Sequence, residues 1–477
     1  MIDQKNMVQR NPKNCKKLIE ALVLLNPLTA ISPIDGRYSD KTDILRPLCS
    51  EYGLFYFRVL IEIRWLQALA AHSGIQEISK FSPTTQQQLN DIIKNFSLED
   101  AERIKFLEKT TRHDIKAVEY FLKEKLANNP QLKSIREFIH FGCTSDDINN
   151  LAYALMLKEV RAQHLLPAIQ QFIVYLKNYS HQYSTHPMLG RTHGQAAVPT
   201  TMGKEFANFT HRLIEQEKLF AAVKIVGKFN GAIGNYNAHR IAYPDINWPE
   251  LNEKFVSSLD LDWNAYTTQI EPHDYIAAYC DCLNRINNIL INLAADCWGY
   301  ISLGYFKQKT KIGEVGSSTM PHKINPIDFE NAEGNFSLAN SLYQHFSKTL
   351  PISRWQRDLR DSTLLRNLGV AFAYNLVALK SLYSGLEKIS IDDRKLLEDL
   401  NQHWEILAEA IQTILRRYAT EMPYEQLKTL TQGKKLNQET LHQFINSLKI
   451  SDDIKQKLFE LSPTNYLGYA TELAQSI

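Results

Sequence analysis

At 477 residues the chain is longer than one hydrophobic core supports, since single cores stop growing near about 250–300 residues, so two or three structural units are expected. Hydrophobic residues at 44% and charged residues at 22% fit a soluble globular protein, and 54 Lys plus Arg against 52 Asp plus Glu leaves a net charge of +2. That balance offers no electrostatic footprint for nucleic acid or an anionic membrane, and both partner classes are set aside.

Gly and Pro number 19 and 17, where average usage over this length would give about 33 and about 24. Turns are therefore scarce and elements long, and long elements are helices. The expected fold class is all-α.

Residues 1–22 are polar and rich in Asn and Lys, and they read as an extension outside the fold. Lys13, Lys16 and Lys17 precede the short apolar stretch Ala21 to Leu25, but Glu20 stands directly before it and no small-residue cleavage site follows, so a signal peptide is not the preferred reading. From Thr29 the text T-A-I-S-P-I-D-G-R-Y is a punctuated loop. The steps of three and four between Leu54, Phe57, Ile61, Trp65 and Leu69 predict a helix over 51–72, with Arg58 and Glu62 as an i,i+4 pair on its wet side. Shorter helices run to about residue 130, broken at Ser82-Pro83 and Asn129-Pro130.

The middle of the chain predicts five long helices, over 146–182, 199–229, 273–308, 327–349 and 362–389. In the third, Leu283, Ile286, Leu290, Leu293, Cys297 and Ile301 form one stripe, with Asn287 and Asn288 off it, as a bundle seam requires. Beyond about 386 the helices are shorter and more charged, over 394–418 and 438–448. The expected organisation is thus an extension (1–22), an N-terminal helical domain (23–133), a central five-helix bundle (134–386) and a small C-terminal helical domain (387–477). The bundle's wide apolar faces suggest burial against other subunits.

The six cysteines form no C-x-x-C pair, and no H-E-x-x-H occurs, so metal-site spacing is absent and no metal is expected. Free thiols fit a reducing cytoplasm. No apolar run approaches the roughly 18 residues of a membrane span.

Four connections are rich in Gly, Ser, Thr, His and Asn where a bundle needs only a turn: T-T-R-H-D (110–114), C-T-S-D-D-I-N-N (143–150), G-R-T-H-G-Q (190–195) and G-S-S-T-M-P-H-K-I-N-P (316–326). Loops held at the ends of rigid helices are where function concentrates. The last can present backbone N–H groups, a hydroxyl, an ammonium (Lys323) and an amide (Asn325) to an anion. Asn325-Pro326 also fits the start of the next helix.

That loop resembles the signature G-S-x-x-M-P-x-K-x-N-P of the fumarase/aspartase superfamily at every fixed position. His322 before Lys323 resembles the adenylosuccinate lyase branch, where fumarases carry Gly and argininosuccinate lyases Gln. S-P-I-D-G-R-Y (32–38), H-D (113–114), T-S-D-D-I-N-N (144–150), R-T-H-G-Q (191–195), T-T-Q-I-E-P-H-D (267–274) and S-R-W-Q-R-D (353–358) look like the same branch, and the likeness runs from residue 28 to the C-terminus. It is greatest to the bacterial members with the long S-P-x-D-G-R-Y opening.

The resemblance implies a lyase of purine nucleotide biosynthesis that cleaves adenylosuccinate to AMP and fumarate, and SAICAR to AICAR and fumarate, by anti β-elimination without a cofactor. It implies a homotetramer in which three subunits build each site. Ser317 matches the catalytic base and His193 the general acid; Lys323 and Asn325 match the groups that hold the substrate carboxylate and stabilise its aci form. Thr144 and Ser145 match carboxylate binders at a helix N-terminus. Arg37 and Tyr38 match a phosphate and ribose site, and Arg357, Ser362 and Arg366 match phosphate and base contacts. Gln269 and Asn331 match hydrogen-bonding positions, and His113 lies by the acid and the phosphate. Asp114, Ser318, Ile324 and Thr363 are carried over as further substrate contacts. So is Arg112, although it stands where close relatives carry Asn or His. Lys307, Lys309 and Lys311, just before the signature loop, suit an anionic substrate.

Overall fold

The computed structural model describes residues 26–127, 129–309, 313, 319–320, 322–418, 423–431 and 436–477. Helices carry it, and the β-structure of the described residues amounts to three two-stranded sheets. The chain divides into two compact units: one takes residues up to Leu165, Ala222–Asn284 and Asn335–Lys380, the other Leu166–Ala221, Arg285–Gly334 and Ser381–Ile477. Three of these divisions fall inside helices, so the units do not follow the chain in order.

In the first unit the expected 51–72 helix is Glu51–Ala71, started by Ser50, whose hydroxyl accepts from the Gly53 N–H. All five residues of its apolar stripe are buried. Arg58 and Glu62 overturn the sequence reading, because each is only 1% exposed. Polar partners on other segments replace water on that face: Arg58 bonds Asn149 and Asp114, and Glu62 accepts from His140. Ser82-Pro83 and Asn129-Pro130 are both N-cap and first-turn pairs, of the helices Pro83–Lys94 and Pro130–Ser134.

The predicted 146–182 helix is Ser145–Val160, one π-turn over Arg161–Leu165, then Leu166–Gln182. Pro167 cannot donate to a carbonyl four residues back and its ring crowds that carbonyl, which accounts for the widened turn just before it. The 273–308 helix is Asp274–Ser302, after which Gly304 takes a φ of 75° and the chain turns into the strand Phe306–Gln308, paired with Ile389–Ile391. Its stripe is buried as far as Cys297 and half-buried at Ile301; Asn287, expected off the seam, is buried as well. The 327–349 helix is found with the expected bounds. The last long prediction is a short helix, Arg360–Leu365, followed by Leu368–Lys388.

A buried ion pair fixes the start of the Ser145 helix. The Asp147 carboxylate, fully buried, accepts from the backbone N–H groups of Thr144 (2.8 Å), Asn230 (2.9 Å) and Gly231 (3.1 Å), with Lys228 Nζ at 2.9 Å. Removing one member of such a pair strands the other charge in a dry interior. Lys228→Met is therefore expected to cost about 3–5 kcal/mol of stability, read from chemical denaturation. A shift under about 1 kcal/mol would show that the backbone donors alone satisfy Asp147.

The turn segment ahead of that helix is pinned to the Glu51 helix twice. Trp65 Nε1 donates to the Phe141 carbonyl (2.9 Å), and His140 Nδ1 lies 2.6 Å from Glu62. Burial opposes a charge on His140, but Glu62, helped by Glu119 and Asp147, outweighs it and raises the pKa. The pair's contribution is thus complete below the free histidine pKa of about 6.5 and fades as pH rises through the folded value. Thermal unfolding across pH 6 to 9 should show stability declining more in the parent than in Glu62→Gln; equal slopes would overturn this.

In the second unit, Leu189 packs into a core with Leu400, Leu407, Ile411, Leu415, Leu441, Ile445 and Leu458. The expected 394–418 helix is Asp393–Asn401, a 3-10 turn Trp404–Leu407 and Ala408–Arg417; the 438–448 helix is Gln438–Ser447.

Candidate functional site

In the first unit, two of the singled-out stretches converge and Arg366 joins them. His113 precedes the helix Asp114–Leu126 and caps it, Nδ1 accepting from the Lys116 N–H at 3.3 Å. Its other ring nitrogen lies 3.5 Å from Ser145 Oγ, at the first turn of the Ser145 helix. A helix N-terminus presents N–H groups and a partial positive charge to an anion. Beside it, Asp114 Oδ2 receives Arg58 Nη2 (2.7 Å) and Arg366 Nη2 (3.1 Å). Burial pushes the Asp114 carboxyl up, but Arg58, the Ile115 N–H and Arg366 together hold it below the ordinary range, so it is an anion that orients two guanidinium groups. Arg366 also lines a cavity of about 210 Å³ with Ile34, Cys49, Ser50 and Gly369.

The T-T-Q-I-E-P-H-D and S-R-W-Q-R-D stretches meet in the same unit. Arg357 Nη1 donates to Gln269 Oε1 (3.1 Å), and the Gln269 N–H to the Gln356 carbonyl (3.3 Å). The Ser362 N–H is held by Asp361 Oδ1 (2.7 Å), with Thr363 exposed on the same short helix. Arg112 ends the helix Leu98–Thr111 in a left-handed conformation and is exposed. Arg37 is exposed on the turn before the short helix Ser39–Thr42, and the Tyr38 N–H donates to the Pro33 carbonyl.

The second unit holds His193, and the R-T-H-G-Q stretch corrects the sequence reading. It is the tip of an antiparallel hairpin, Pro187–Thr192 with Gln195–Thr201, where a loop and the start of a helix were expected; that helix begins at Met202. His193 (φ 54°) and Gly194 (φ 73°) are the two turn residues, both left-handed, as a tight hairpin turn of this twist requires. A β-bulge lies at Gly190, where a Cβ would meet the Val198 carbonyl oxygen at 2.4 Å. Arg191 then fixes the strand through Tyr305 (2.6 Å) and Asp399 (2.5 Å). The His193 imidazole is exposed at the tip.

Ser317 and Ser318 lie outside the described residues, as does Lys311. The loop end that is described has the Lys323 N–H donating to the Met320 carbonyl (3.0 Å) and the Ile324 carbonyl accepting from Gln308 (2.7 Å). Lys323 and Ile324 are exposed and Asn325 half-buried. The next helix starts at Ile327, which puts Pro326 at the boundary, one residue beyond the expected Asn325 cap. Asn331, in its second turn, accepts from Ser381 (2.7 Å). Lys307, expected to serve the substrate, instead pairs with Asp392 at 2.5 Å, and the Lys309 N–H is bonded to the Lys388 carbonyl.

The family model described as lyase matches residues 36–337, and the one for the adenylosuccinate lyase C-terminal region matches 353–467. The chain is 54% identical over 453 residues to the adenylosuccinate lyase of Escherichia coli strain K12, covering 95% of this chain and 99% of that one. The chain belongs to the adenylosuccinate lyase family. The Vibrio cholerae adenylosuccinate lyase is 53% identical, over 95% of this chain and all of its own. A crystal structure of a fumarate lyase from Mesorhizobium sp. BNC1 shares the fold, with a TM-score of 0.72 at 19% identity over 91% of this chain and 97% of that one. The fumarase/aspartase-like, all-α architecture expected from the sequence is therefore found.

In this member of the adenylosuccinate lyase family, sequence reasoning missed the residues that support the candidate site from beneath. Arg58, Asp146, Glu271, His273 and Asp361 are all buried, each beside or under a residue that was singled out. Asp146, Glu271 and His273 stood inside motifs already quoted. Only Glu271, between Ile270 and Pro272, carried a local signal, a charged residue flanked by apolar ones; Asp146 and His273 each have a charged neighbour and carried none.

Proposed function

We propose that this chain is a C–N lyase that cleaves adenylosuccinate to AMP and fumarate, and SAICAR to AICAR and fumarate, by anti β-elimination in purine nucleotide biosynthesis. The observation that carries the reading is identity above half, over nearly the whole chain, to adenylosuccinate lyases, with His193, Ser317 and Lys323 all retained in the sequence.

The chemical problem is to take a proton from carbon next to a carboxylate. Ser317 is assigned as the base; its hydroxyl must be deprotonated within a closed, water-poor loop whose N–H groups hold the oxyanion. The product of that step carries extra charge on the carboxylate. Lys323 and Asn325, with Ser318 and Ile324 beside them, stabilise it there. His193 delivers a proton to the leaving nitrogen from the opposite face. Thr144 and Ser145 bind a second carboxylate at the helix N-terminus, next to His113 and Asp114. Arg357, Ser362, Thr363 and Arg366, with Arg37, Tyr38 and Arg112, take the phosphate, ribose and base, since a guanidinium fork matches two phosphate oxygens. Gln269 and Asn331 complete the hydrogen bonds.

The assembly is a homotetramer in which three subunits supply each site. Apolar side chains left exposed on long helices support it: Trp298 (45%), Ile327 (61%) and Leu338 (50%). The three-domain division at about 133 and 386 belongs to the same reading. The cytoplasm is the assigned compartment; Cys49, Cys143, Cys280 and Cys297 are free thiols, and no described helix is long and apolar enough to cross a membrane.

Purified protein supplied with each succinylated nucleotide should give the ultraviolet change of elimination, while argininosuccinate and malate give none. Turnover confined to either of the latter two would replace this reading with another lyase of the superfamily. Sedimentation velocity reports the tetramer directly.

A further inference from the structure

We propose that His273 is a positioning residue for nucleotide binding: it clamps together the segments that carry Gln269 and Arg357 and thereby sets the spacing of these two substrate contacts. The proposal rests on the substrate reading above. Gln269 stands four residues before His273, and Arg357 four before Asp361. The two segments touch at both ends: at one, Arg357 Nη1 meets Gln269 Oε1 at 3.1 Å and the Gln269 N–H meets the Gln356 carbonyl at 3.3 Å; at the other, His273 Nε2 meets Asp361 Oδ2 at 3.5 Å. The Arg357–Gln269 contact is half-buried and lies between groups assigned to substrate. The His273–Asp361 contact is closed from solvent, with His273 2% and Asp361 7% exposed.

His273 is held where an ordinary side chain rests badly. Its φ of 67° is left-handed, a conformation that costs a residue with a Cβ about 1–2 kcal/mol. Three bonds keep it there: its N–H donates to Glu271 Oε2 (2.7 Å), and its carbonyl accepts from the N–H groups of Ile276 and Ala277 (3.0 Å each), opening the Asp274 helix. Glu271 is itself fixed by Asn264 Nδ2 (3.0 Å), and Asp361 by the Ser362 N–H (2.7 Å). The imidazole thus faces Glu271 on its own segment, Asp361 on the short helix Arg360–Leu365, and Asp146 in the first turn of the Ser145 helix; Lys228 and Arg357 act in turn on Asp146. Burial works against a charge on the ring, but Asp361, Glu271 and Asp146 outweigh it and raise the pKa. Asp146 Oδ2 and Arg357 Nε, next to this cluster, have no hydrogen-bond partner, so Arg357 keeps a donor in hand while its orientation is set from below.

The test compares the parent with His273→Asn, Asp361→Asn, Gln269→Ala and the double variant His273→Asn/Gln269→Ala. Asn tolerates a left-handed backbone, so the first substitution removes the imidazole without forcing the chain to move. With adenylosuccinate, His273→Asn is expected to raise KM about tenfold or more while changing kcat less, as loss of an orienting partner does. The double variant should be little worse than Gln269→Ala, because His273 acts through that residue. A merely structural histidine would lower the melting temperature, leave KM unchanged and add its effect to that of Gln269→Ala; this outcome overturns the proposal. Should His273→Asn fail to fold, Asp361→Asn removes the charge and one of the two acceptor oxygens that serve His273 and the Ser362 N–H, at constant volume, and is judged by the same KM and additivity criteria. If Gln269→Ala itself leaves KM untouched, or the parent cleaves neither nucleotide, the substrate reading fails and the positioning role falls with it.

Discussion

Replacing His193 by alanine is expected to lower turnover of adenylosuccinate by about 10²–10⁴-fold, the range that removal of a general acid produces. The structure makes this a clean experiment. The imidazole is exposed at a hairpin tip and contributes nothing to a core, while the hairpin is anchored elsewhere, by Leu189 among the C-terminal helices and by Arg191 on Tyr305 and Asp399. The one structural cost is the left-handed turn, where alanine at a φ of 54° loses about 1 kcal/mol relative to a residue that accepts it. His193→Asn, which accepts that backbone, separates the terms: it should melt like the parent and still be slow. Near-normal turnover in His193→Asn would remove this residue from the mechanism.

Ser317→Ala carries the second large effect, again expected at about 10²–10⁴-fold or more in turnover, since without a base the elimination has no route for its proton. The neighbouring Ser318 is the internal control. Both hydroxyls sit in the G-S-S stretch six and five residues before Lys323, and a loop that merely needs small polar residues would respond alike to either change. The assignment holds if Ser317→Ala is nearly dead and Ser318→Ala keeps most of its turnover with a weakened KM. The reverse pattern would hand the proton to Ser318. Substrate affinity of the Ser317→Ala protein should survive, because Lys323 and Asn325 remain.

Much of the helical frame was legible beforehand because apolar spacing is a local property. The stripe from Leu283 to Cys297 could be recognised without any partner in view. The hairpin was not legible for an equally local reason. R-T-H-G-Q lacks the Asn-Gly or Asp-Gly that announces a two-residue turn, and its first turn residue is a left-handed histidine. Arg58 and Glu62 failed differently: a charged pair four apart on a helix reads as a solvated face. Only the arrival of Asn149, Asp114 and His140 from other segments makes that face an interior one.

The candidate site divides along the same line. Ser317, Lys323 and His193 could be singled out because they stand in short, unusual stretches that resemble the motifs of a known family. Arg366 could be named but not placed, since nothing in its own neighbourhood points to Asp114, 252 residues away.

The amino-acid order by itself determined which segments are helical and which loops carry the candidate side chains, since both depend on neighbours within a few residues. It was tertiary structure that decided which charges are buried, that the R-T-H-G-Q stretch closes as a hairpin, and that His273 meets Asp361 across 88 residues. Burial and long-range pairing depend on what the rest of the chain brings alongside, and a carboxylate or imidazole changes its energetics only when that neighbour displaces water.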